Sequence, residues 1–385
     1  MKTTALAGTA RTRGSGRVRA RRRGVASMLL AAAAGLAAPL PAIAQAWLPA
    51  AGDASLTVGY QHYRSEDRYT TSDGERYYDG LTRQHGLVTY LTYGITDRLA
   101  VSVGLPPYFV SSYDGPDPHR RPVLDGDRIA RDASGTPLFE PPTIDDGSYH
   151  GSYQDFRGEL SFMALQGSWV VTPFVGFQAP SHAYDYHAQT AVGRRLWDLR
   201  AGINVGRRLD PVLPDAYVHG RYAFAYRQAV QDLRFNYSFV DLEVGYFVTP
   251  SLSLRILGAS QIAHDGLRDE EYPVTEPPRD GYSLSQWVYL SSEGQQMRGQ
   301  PALPVALRHD QLQLQTSIDL GLGASLALTP SVGVSAQVFR TVWGRGGRPT
   351  DLAASVWATI SFSAADLFGK EPRREDGRSG PPERP

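Results

Sequence analysis

The segment His85–Leu105 reads HGLVTYLTYGITDRLAVSVGL, two apolar runs joined by the corner Gly94-Ile95-Thr96-Asp97. In the second run, which begins at Leu99, a large apolar residue stands at every second position. A period of two is typical of a β-strand, and a short corner containing Gly, Thr and Asp is typical of a tight turn. The segment therefore predicts an antiparallel hairpin.

The segments between apolar runs alternate between short and long along the rest of the chain. Outer-membrane barrels join antiparallel strands by short periplasmic turns and long outer loops. We count about 12 runs, and an even number places both chain ends in the periplasm. The predicted fold is an all-β, transmembrane, up-and-down antiparallel barrel. The other short turns are Leu165–Gly167, Asp210-Pro211, Thr249-Pro250 and Thr329-Pro330, and the long segments are the polar stretch after His62 and residues 107–152, 180–194, 228–233, 263–307 and 344–350.

Alternation within the runs predicts one face toward lipid and the other toward the lumen. In run 310–323 the even positions from Leu312 to Leu322 are apolar or Thr, whereas the odd positions from Gln311 to Asp319 are polar. Runs 154–164, 197–206 and 240–246 alternate in the same way. Two runs leave the register open: 85–93, where both faces carry apolar residues, and 168–179, which Pro173 interrupts.

Charged residues fall on the face predicted to line the lumen. They nearly balance, which argues against strong selectivity for anions or cations. Two roles remain open: a network of salt bridges that braces the barrel, or the wall of a narrow aqueous path. The predicted lumen residues are Asp155, Arg157, Glu159, Asp198, Arg200, Arg221, Asp241, Glu243, Arg255 and Asp319.

The two ends of the chain differ from the runs. Residues 1–44 carry eight basic residues and no acid, then an apolar stretch and the small residues Ala42-Ile43-Ala44, which predicts a secretory signal peptide. The barrel is expected over 45–363. The charged segment 364–385 is rich in Pro and Gly and is expected to be a disordered periplasmic tail.

Composition and motifs exclude several kinds of site. The chain has no cysteine, and without the signal it has 31 basic and 39 acidic residues, so neither disulfides nor a basic nucleic-acid surface is expected. No cofactor or metal is predicted. The acids Asp125, Asp127, Asp145 and Asp146 are interpreted as a hydrated loop in preference to a Ca²⁺ site, and His182, Asp185 and His187 as a solvated loop.

Several short motifs resemble a known family. These are Tyr93–Leu99, Val103–Pro106, Asp155-Phe156-Arg157, Trp197–Arg200 and the Thr-Pro turns. They are similar to the Gram-negative outer-membrane transport proteins of the phenol-degradation meta pathway, over about Ala54 to Phe362. The resemblance implies an outer-membrane barrel and passage of small aromatic or hydrophobic compounds. Pro180-Ser181-His182 departs from the family's Pro-Thr-Gly.

The sequence therefore predicts a non-enzymatic, passive outer-membrane channel for small molecules. Its expected partners are outer-membrane lipid, the barrel-assembly machinery during biogenesis and a small-molecule solute, with no nucleic acid. A closed structural or adhesive barrel is the first alternative. The second is a lipid hydrolase, for which His62 is the best-placed histidine and no serine is identified.

Overall fold

Twelve antiparallel strands close into one barrel in the computed structural model. It describes residues 46–363 except 70–73, 117, 122, 126–127, 137, 231–233 and 265–308. The predicted signal peptide, tail and most of the loop 263–307 lie outside these residues. The strands are β1 (Asp53–Tyr69), β2 (Arg76–Thr96), β3 (Leu99–Asp114), β4 (Leu124–Asp125), β5 (Arg128–Ile129), β6 (His150–Tyr153), β7 (Asp155–Phe162), β8 (Trp169–Pro180), β9 (Asp198–Arg208), β10 (Ala216–Arg227), β11 (Tyr237–Phe247), β12 (Leu252–Ala263), β13 (Thr316–Thr329), β14 (Val332–Arg345) and β15 (Leu352–Ser363). Within the described residues there is also one short helix, α1 (His309–Leu312).

The pairing is up-and-down throughout. Each barrel strand pairs with its sequence neighbours, and β1 pairs with β15 from Asp53↔Ser363 to Arg64↔Leu352, which closes the sheet. Strands β6 and β7 both pair with β3 and form one barrel strand interrupted at Gln154, while β4 and β5 form a separate ribbon. The predicted fold class and strand number are confirmed.

The connections alternate as predicted. Short turns, at 97–98, 163–168, 209–215, 248–251 and 330–331, lie at one end of the barrel, which we call the short-turn end. The hydroxyl of Thr249 accepts hydrogen bonds from the backbone N of Ser251 and Leu252, at 3.3 and 3.0 Å. The other connections, from the β1–β2 link to the β14–β15 link, lie at the opposite end, which we call the long-loop end; the first and the last of them have only six residues each.

The strands extend beyond the apolar runs, so the loop predicted after His62 is mostly wrong. β1 continues to Tyr69 and β2 begins at Arg76, which leaves six residues between them. Ion pairs hold this extension: Arg76 lies 2.6 Å from Asp67, across the hairpin. Polar residues continue the sheet here because cross-strand charge pairs replace apolar packing.

The lipid-facing assignment at the start of run 310–323 is wrong. Residues 309–312 form α1, β13 begins only at Thr316, and Leu312 is 0% exposed. Leu312 packs in a core cluster with Phe235 and Tyr237, inside the long-loop end. An alternating pattern does not show where a strand begins, although the predicted parity holds from Thr316 onward. No helix in the described part of the chain has the length and apolarity needed to cross a bilayer.

The structure settles the two open registers. In β2, Val88 and Tyr90 are 2% and 9% exposed and pack inward in one core cluster, whereas Leu87 and Leu91 are exposed on the outer wall. Strand β8 runs through Pro173, and its pairing with β7 begins one residue later. Proline has no backbone N–H to donate. Pro173 is tolerated because at this position β8 is paired with β9 and not with β7.

Candidate functional site

A cavity of about 790 Å³ occupies the lumen toward the short-turn end. We call it the inner chamber. A barrel of twelve strands is wider than the eight-stranded barrels that side chains alone can fill, so space inside it is expected. Of the predicted lumen residues, the inner chamber is lined by Arg157, Glu159, Arg200, Arg221, Asp241, Glu243 and Asp319.

The segment before β1 crosses the short-turn end of this chamber. The carbonyl of Ala46 accepts a hydrogen bond from the Thr172 hydroxyl at 2.7 Å, and Trp47 packs over Gly206, where a Cβ would meet the ring. These contacts lie on β8 and β9, four and five strands around the sheet from β1. Seven residues reach at most about 25 Å, enough to cross the lumen and narrow it.

One ion pair joins strands that are not neighbours. Arg221 of β10 donates to Glu159 of β7, with 2.5 Å between Nη2 and Oε2, although two strands separate β7 from β10. The guanidinium also donates to Asn204 at 3.2 Å and lies 3.8 Å from the centroid of the Phe174 ring. Arg221 and Glu159 extend from two separate parts of the barrel wall. Their charge-assisted hydrogen bond keeps both side chains across part of the lumen.

Two further pairs follow the wall. Arg200 donates to both carboxylate oxygens of Asp198 on the same strand, at 2.7 and 3.1 Å. Glu243 of β11 lies 3.6 Å from Nη1 of Arg255 on β12. Both carboxylates are nearly fully buried, at 1% and 2% exposure, so each needs its partner to offset the loss of water.

Asp155, the first residue of β7, is hydrogen-bonded to two neutral side chains. Its carboxylate accepts hydrogen bonds from Nε2 of Gln178 and from the hydroxyl of Tyr184, both at 2.6 Å. Arg157, two residues along the strand, donates to the hydroxyl of Tyr90 at 3.4 Å. The alternation of charge along β7 therefore does not itself form a chain of ion pairs.

Two acids of the predicted set face the inner chamber outside any ion pair. Asp241 on β11 and Asp319 on β13 both lie opposite Ala259 of β12, which separates them. In the described part of the chain, no Lys, Arg or His nitrogen lies within 4.0 Å of either carboxylate. The predicted lumen residues thus combine three ion pairs with two carboxylates that lie outside any ion pair.

A second cavity of about 210 Å³ lies toward the long-loop end. We call it the outer chamber. It shares Gln337, Phe339 and Ala353 with the inner chamber, so these three residues mark the junction between the two. Loop residues, including Tyr186, Arg194 and others from 181–197, form part of its wall, so these connections fold inward over the barrel.

A buried histidine joins the loops over the outer chamber. His119 lies 3.4 Å from Asp145 and 3.3 Å from Asp310 of α1, and His187 is 3.4 Å from the second oxygen of Asp310. Burial lowers the pKa of His119, but Asp310 and Asp145 override it and raise the pKa to about 10. The protonated ring therefore holds two loop segments together by charge.

Asp145 also anchors the β8–β9 loop. It accepts hydrogen bonds from the backbone N of Gln189 and Thr190 at 2.8 and 3.0 Å. Burial raises the pKa of Asp145, but the hydrogen bond with His119 and these amides bring it below its usual range. Asp145 and His187 are 3% and 5% exposed, so their interpretation as solvated loop residues is wrong. Asp125 and Asp146 are exposed, as predicted, and Asp127 lies outside the described residues.

The carboxylate of Asp79 pairs with two arginines, one of which, Arg348, lies in the β14–β15 link. Arg348 and Arg68 lie 2.8 and 2.7 Å from the same oxygen of Asp79, and both guanidiniums also donate to Gln189. Four connections of the long-loop end are thus linked by buried or half-buried charges. These contacts join distant parts of the chain, and no local motif signals them.

Few of the described side chains are grouped in a way that could bind a metal or catalyse a reaction. Within the described ranges, no group of three His, Asp or Glu side chains is arranged to hold a metal. His62 lies beside His85, with 4.8 Å between ring centroids. A serine–histidine pair that sequence analysis missed lies elsewhere, where Ser238 Oγ is 2.7 Å from Nε2 of His264. No described carboxylate or amide side chain hydrogen-bonds to the His264 ring, so the pair lacks a third catalytic member.

Comparison with known proteins gives the class of fold. An outer membrane channel from Pseudomonas putida F1 covers 82% of this chain and 97% of its own, with 15% identity and a TM-score of 0.50. The NanC porin covers 80% and 98%, at 11% identity and a TM-score of 0.38, and the translocator domain of the autotransporter NalP from Neisseria meningitidis covers 82% and 89%, at 9% and 0.39. No family model and no curated protein matches the chain.

The chain is therefore a closed twelve-stranded β-barrel with the fold of an outer-membrane channel. Identities this low establish the architecture alone.

Proposed function

We propose that the protein is a passive outer-membrane channel for small solutes, with both chain ends in the periplasm. The observation that carries the proposal is the pair of chambers that meet at Gln337, Phe339 and Ala353. A barrel whose only task is structural has no need of such a charged internal space.

The outer wall supports a membrane location. Large apolar side chains are exposed there on strand after strand, as in Leu91, Val175, Leu242 and Ile256, which are 44 to 60% exposed. Exposing them to water is unfavourable, and exposing them to lipid is not. The predicted signal peptide 1–44 and the periplasmic tail 364–385 belong to this proposal, as do lipid and the barrel-assembly machinery as partners.

The lumen charges are proposed to serve both roles that the sequence left open. The pair Glu159–Arg221 braces the wall, while Asp241 and Asp319 face the path. A wall of this kind favours water-soluble solutes. The aromatic or hydrophobic compounds implied by the family resemblance would have to carry a polar group to pass it.

Single-channel recording of the mature protein in a planar bilayer tests the proposal. A narrow water-filled lumen gives discrete current steps. A protein that inserts and resists heat, yet gives no current over a wide voltage range, would be a closed structural barrel.

A further inference from the structure

We propose that the outer chamber is a binding site for a small organic carboxylate with a single ring, and that Arg194 anchors the carboxylate. The inference rests on the proposed channel function, because it names the class of solute that the channel takes. It starts from the charge of the chamber, its unused hydrogen-bonding groups and its size.

The chamber has an excess of positive charge. Its lining includes the guanidiniums of Arg68, Arg194 and Arg348 but only one carboxylate, Asp310. That carboxylate lies between His119 and His187, while Arg68 and Arg348 share the single carboxylate of Asp79. Arg194 is therefore the cation of the chamber that an incoming anion can pair with.

Arg194 is half-buried among neutral oxygens. It donates to the hydroxyl of Tyr237 at 2.8 Å, to the carbonyl of Gln313 at 3.3 Å and to Oε1 of Gln315 at 3.3 Å. Within the described part of the chain, no carboxylate lies within 4.0 Å of it. A guanidinium removed from much of its water and held by neutral acceptors pairs strongly with a carboxylate, in fork geometry.

The backbone beside Arg194 is held in an unusual conformation. Arg195 has φ of 52°, in the left-handed region that non-glycine residues seldom adopt. Its N–H donates to the Tyr184 hydroxyl at 2.8 Å, and its guanidinium lies 4.7 Å from the centroid of the Tyr186 ring. Such strain persists where surrounding contacts fix it, and here those contacts also fix the position of Arg194.

Two amides of the chamber remain for a ligand. Gln337 is 5% exposed and Gln61 is half-buried, and neither side chain hydrogen-bonds to another described residue. Phe109, Phe339 and Tyr186 add aromatic surface to the lining. Rings with a few polar groups are the usual composition of a small-molecule site, and a dry cavity of about 150 Å³ already accepts benzene. A chamber of about 210 Å³ therefore suits one ring and its carboxylate.

Calorimetric titration of the full chain in detergent tests the inference with three probes. They are benzoate, its neutral isostere benzamide, and acetate, which has the charge without the ring. We expect benzoate to bind at least about 10-fold more tightly than either of the others. Equal affinity for benzoate and benzamide would overturn the role of charge, and equal affinity for benzoate and acetate would overturn the role of the ring.

Variants locate the anchor. Arg194→Gln should weaken benzoate binding by about 10-fold and leave benzamide unchanged, whereas Arg194→Lys should keep part of the preference. The matched control is Arg345→Gln, which removes another arginine that lies over an aromatic ring, 5.9 Å from Trp343, outside the chamber. Full benzoate affinity in folded Arg194→Gln would contradict the assignment. If Arg194→Gln does not fold, the comparison of benzoate with benzamide and acetate in the unaltered protein still tests the inference.

The outcome is separable from that of the proposed function. A channel that conducts but shows no preference for benzoate would leave the proposed function standing and remove this inference. A barrel that binds benzoate through Arg194 but never conducts would be a carboxylate-binding barrel, and the proposed function would fail.

Discussion

Arginine placed on the lipid face should be far more destabilising than the same residue placed in the lumen, and Ala201 and Ala259 allow an identical change on each face. Ala201 lies on the outer wall between Val175 and Phe224, its register partners on β8 and β10, which are 57% and 36% exposed. Ala259 lines the inner chamber.

In the proposed membrane location, the strand geometry sets the depth of Ala201. It is four residues from Trp197 and six from Arg207, whose guanidinium lies 4.9 Å from the Trp169 ring. At about 3.3 Å per residue and a strand tilt of about 40°, these positions are about 10 Å and about 15 Å away along the barrel axis. Because the apolar band of such barrels is about 25 Å tall, Ala201 lies near its centre.

We expect Ala201→Arg to lower the free energy of unfolding by about 2–4 kcal/mol, the cost of an arginine at the bilayer midplane. Ala259→Arg puts its guanidinium between Asp241 and Asp319, so we expect a change below about 1 kcal/mol, in either direction. Equilibrium unfolding by denaturant in phospholipid vesicles measures both. Equal losses, or a larger loss for Ala259→Arg, would refute the assignment of faces.

Two further predictions concern the loops and the lumen charges. Because His119 has a pKa of about 10 in the folded protein against an ordinary 6.5, its contribution to loop stability is complete below about pH 6.5 and is lost as the pH rises through about 10. The pKa of Asp145 is lowered, so its contribution to loop stability depends on pH in the opposite direction. That contribution is present above its ordinary pKa of 3.8 and is lost on further acidification. Limited proteolysis of the β3–β6 loop should therefore be slowest near pH 5 to 6, and His119→Gln should remove the alkaline dependence; a flat profile in the unaltered protein would contradict this. Replacing both Arg157 and Arg200 by Gln should lower the unfolding temperature, because Asp198 loses two hydrogen bonds, and should shift the reversal potential toward cations; a variant unchanged in both would assign bracing and selectivity to other residues.

The wall of the barrel could be predicted from the sequence because lipid on one side and lumen on the other impose a period of two. That requirement fixes the strand number, the turns and the parity of β13 from Thr316 onward. It does not act at the long-loop end, where polar residues continue β1 to Tyr69 and Leu312 is buried within the loops. Contacts such as that between His119 and Asp310 join residues far apart in sequence, which alternation cannot reveal.

The registers of β2 and β8 show why some assignments needed the structure. Both faces of β2 carry apolar residues, and only packing in the cluster with Trp357 places Tyr90 inside. The outer chamber was not predicted for a related reason. Arg194 lies in a loop, and its partner Tyr237 is remote in sequence.

The central claim is that the barrel contains a narrow, water-filled path with a charged wall. Single-channel recording of the refolded mature protein tests it most directly, with salt concentrations that differ across the bilayer. We predict uniform current steps and a reversal potential that is only weakly displaced, because the arginines and the carboxylates that line the lumen nearly balance. Inserted, heat-resistant protein that passes no current would contradict the claim, and uniform steps with a strong preference for ions of either sign would contradict the balance of charge assigned to the wall.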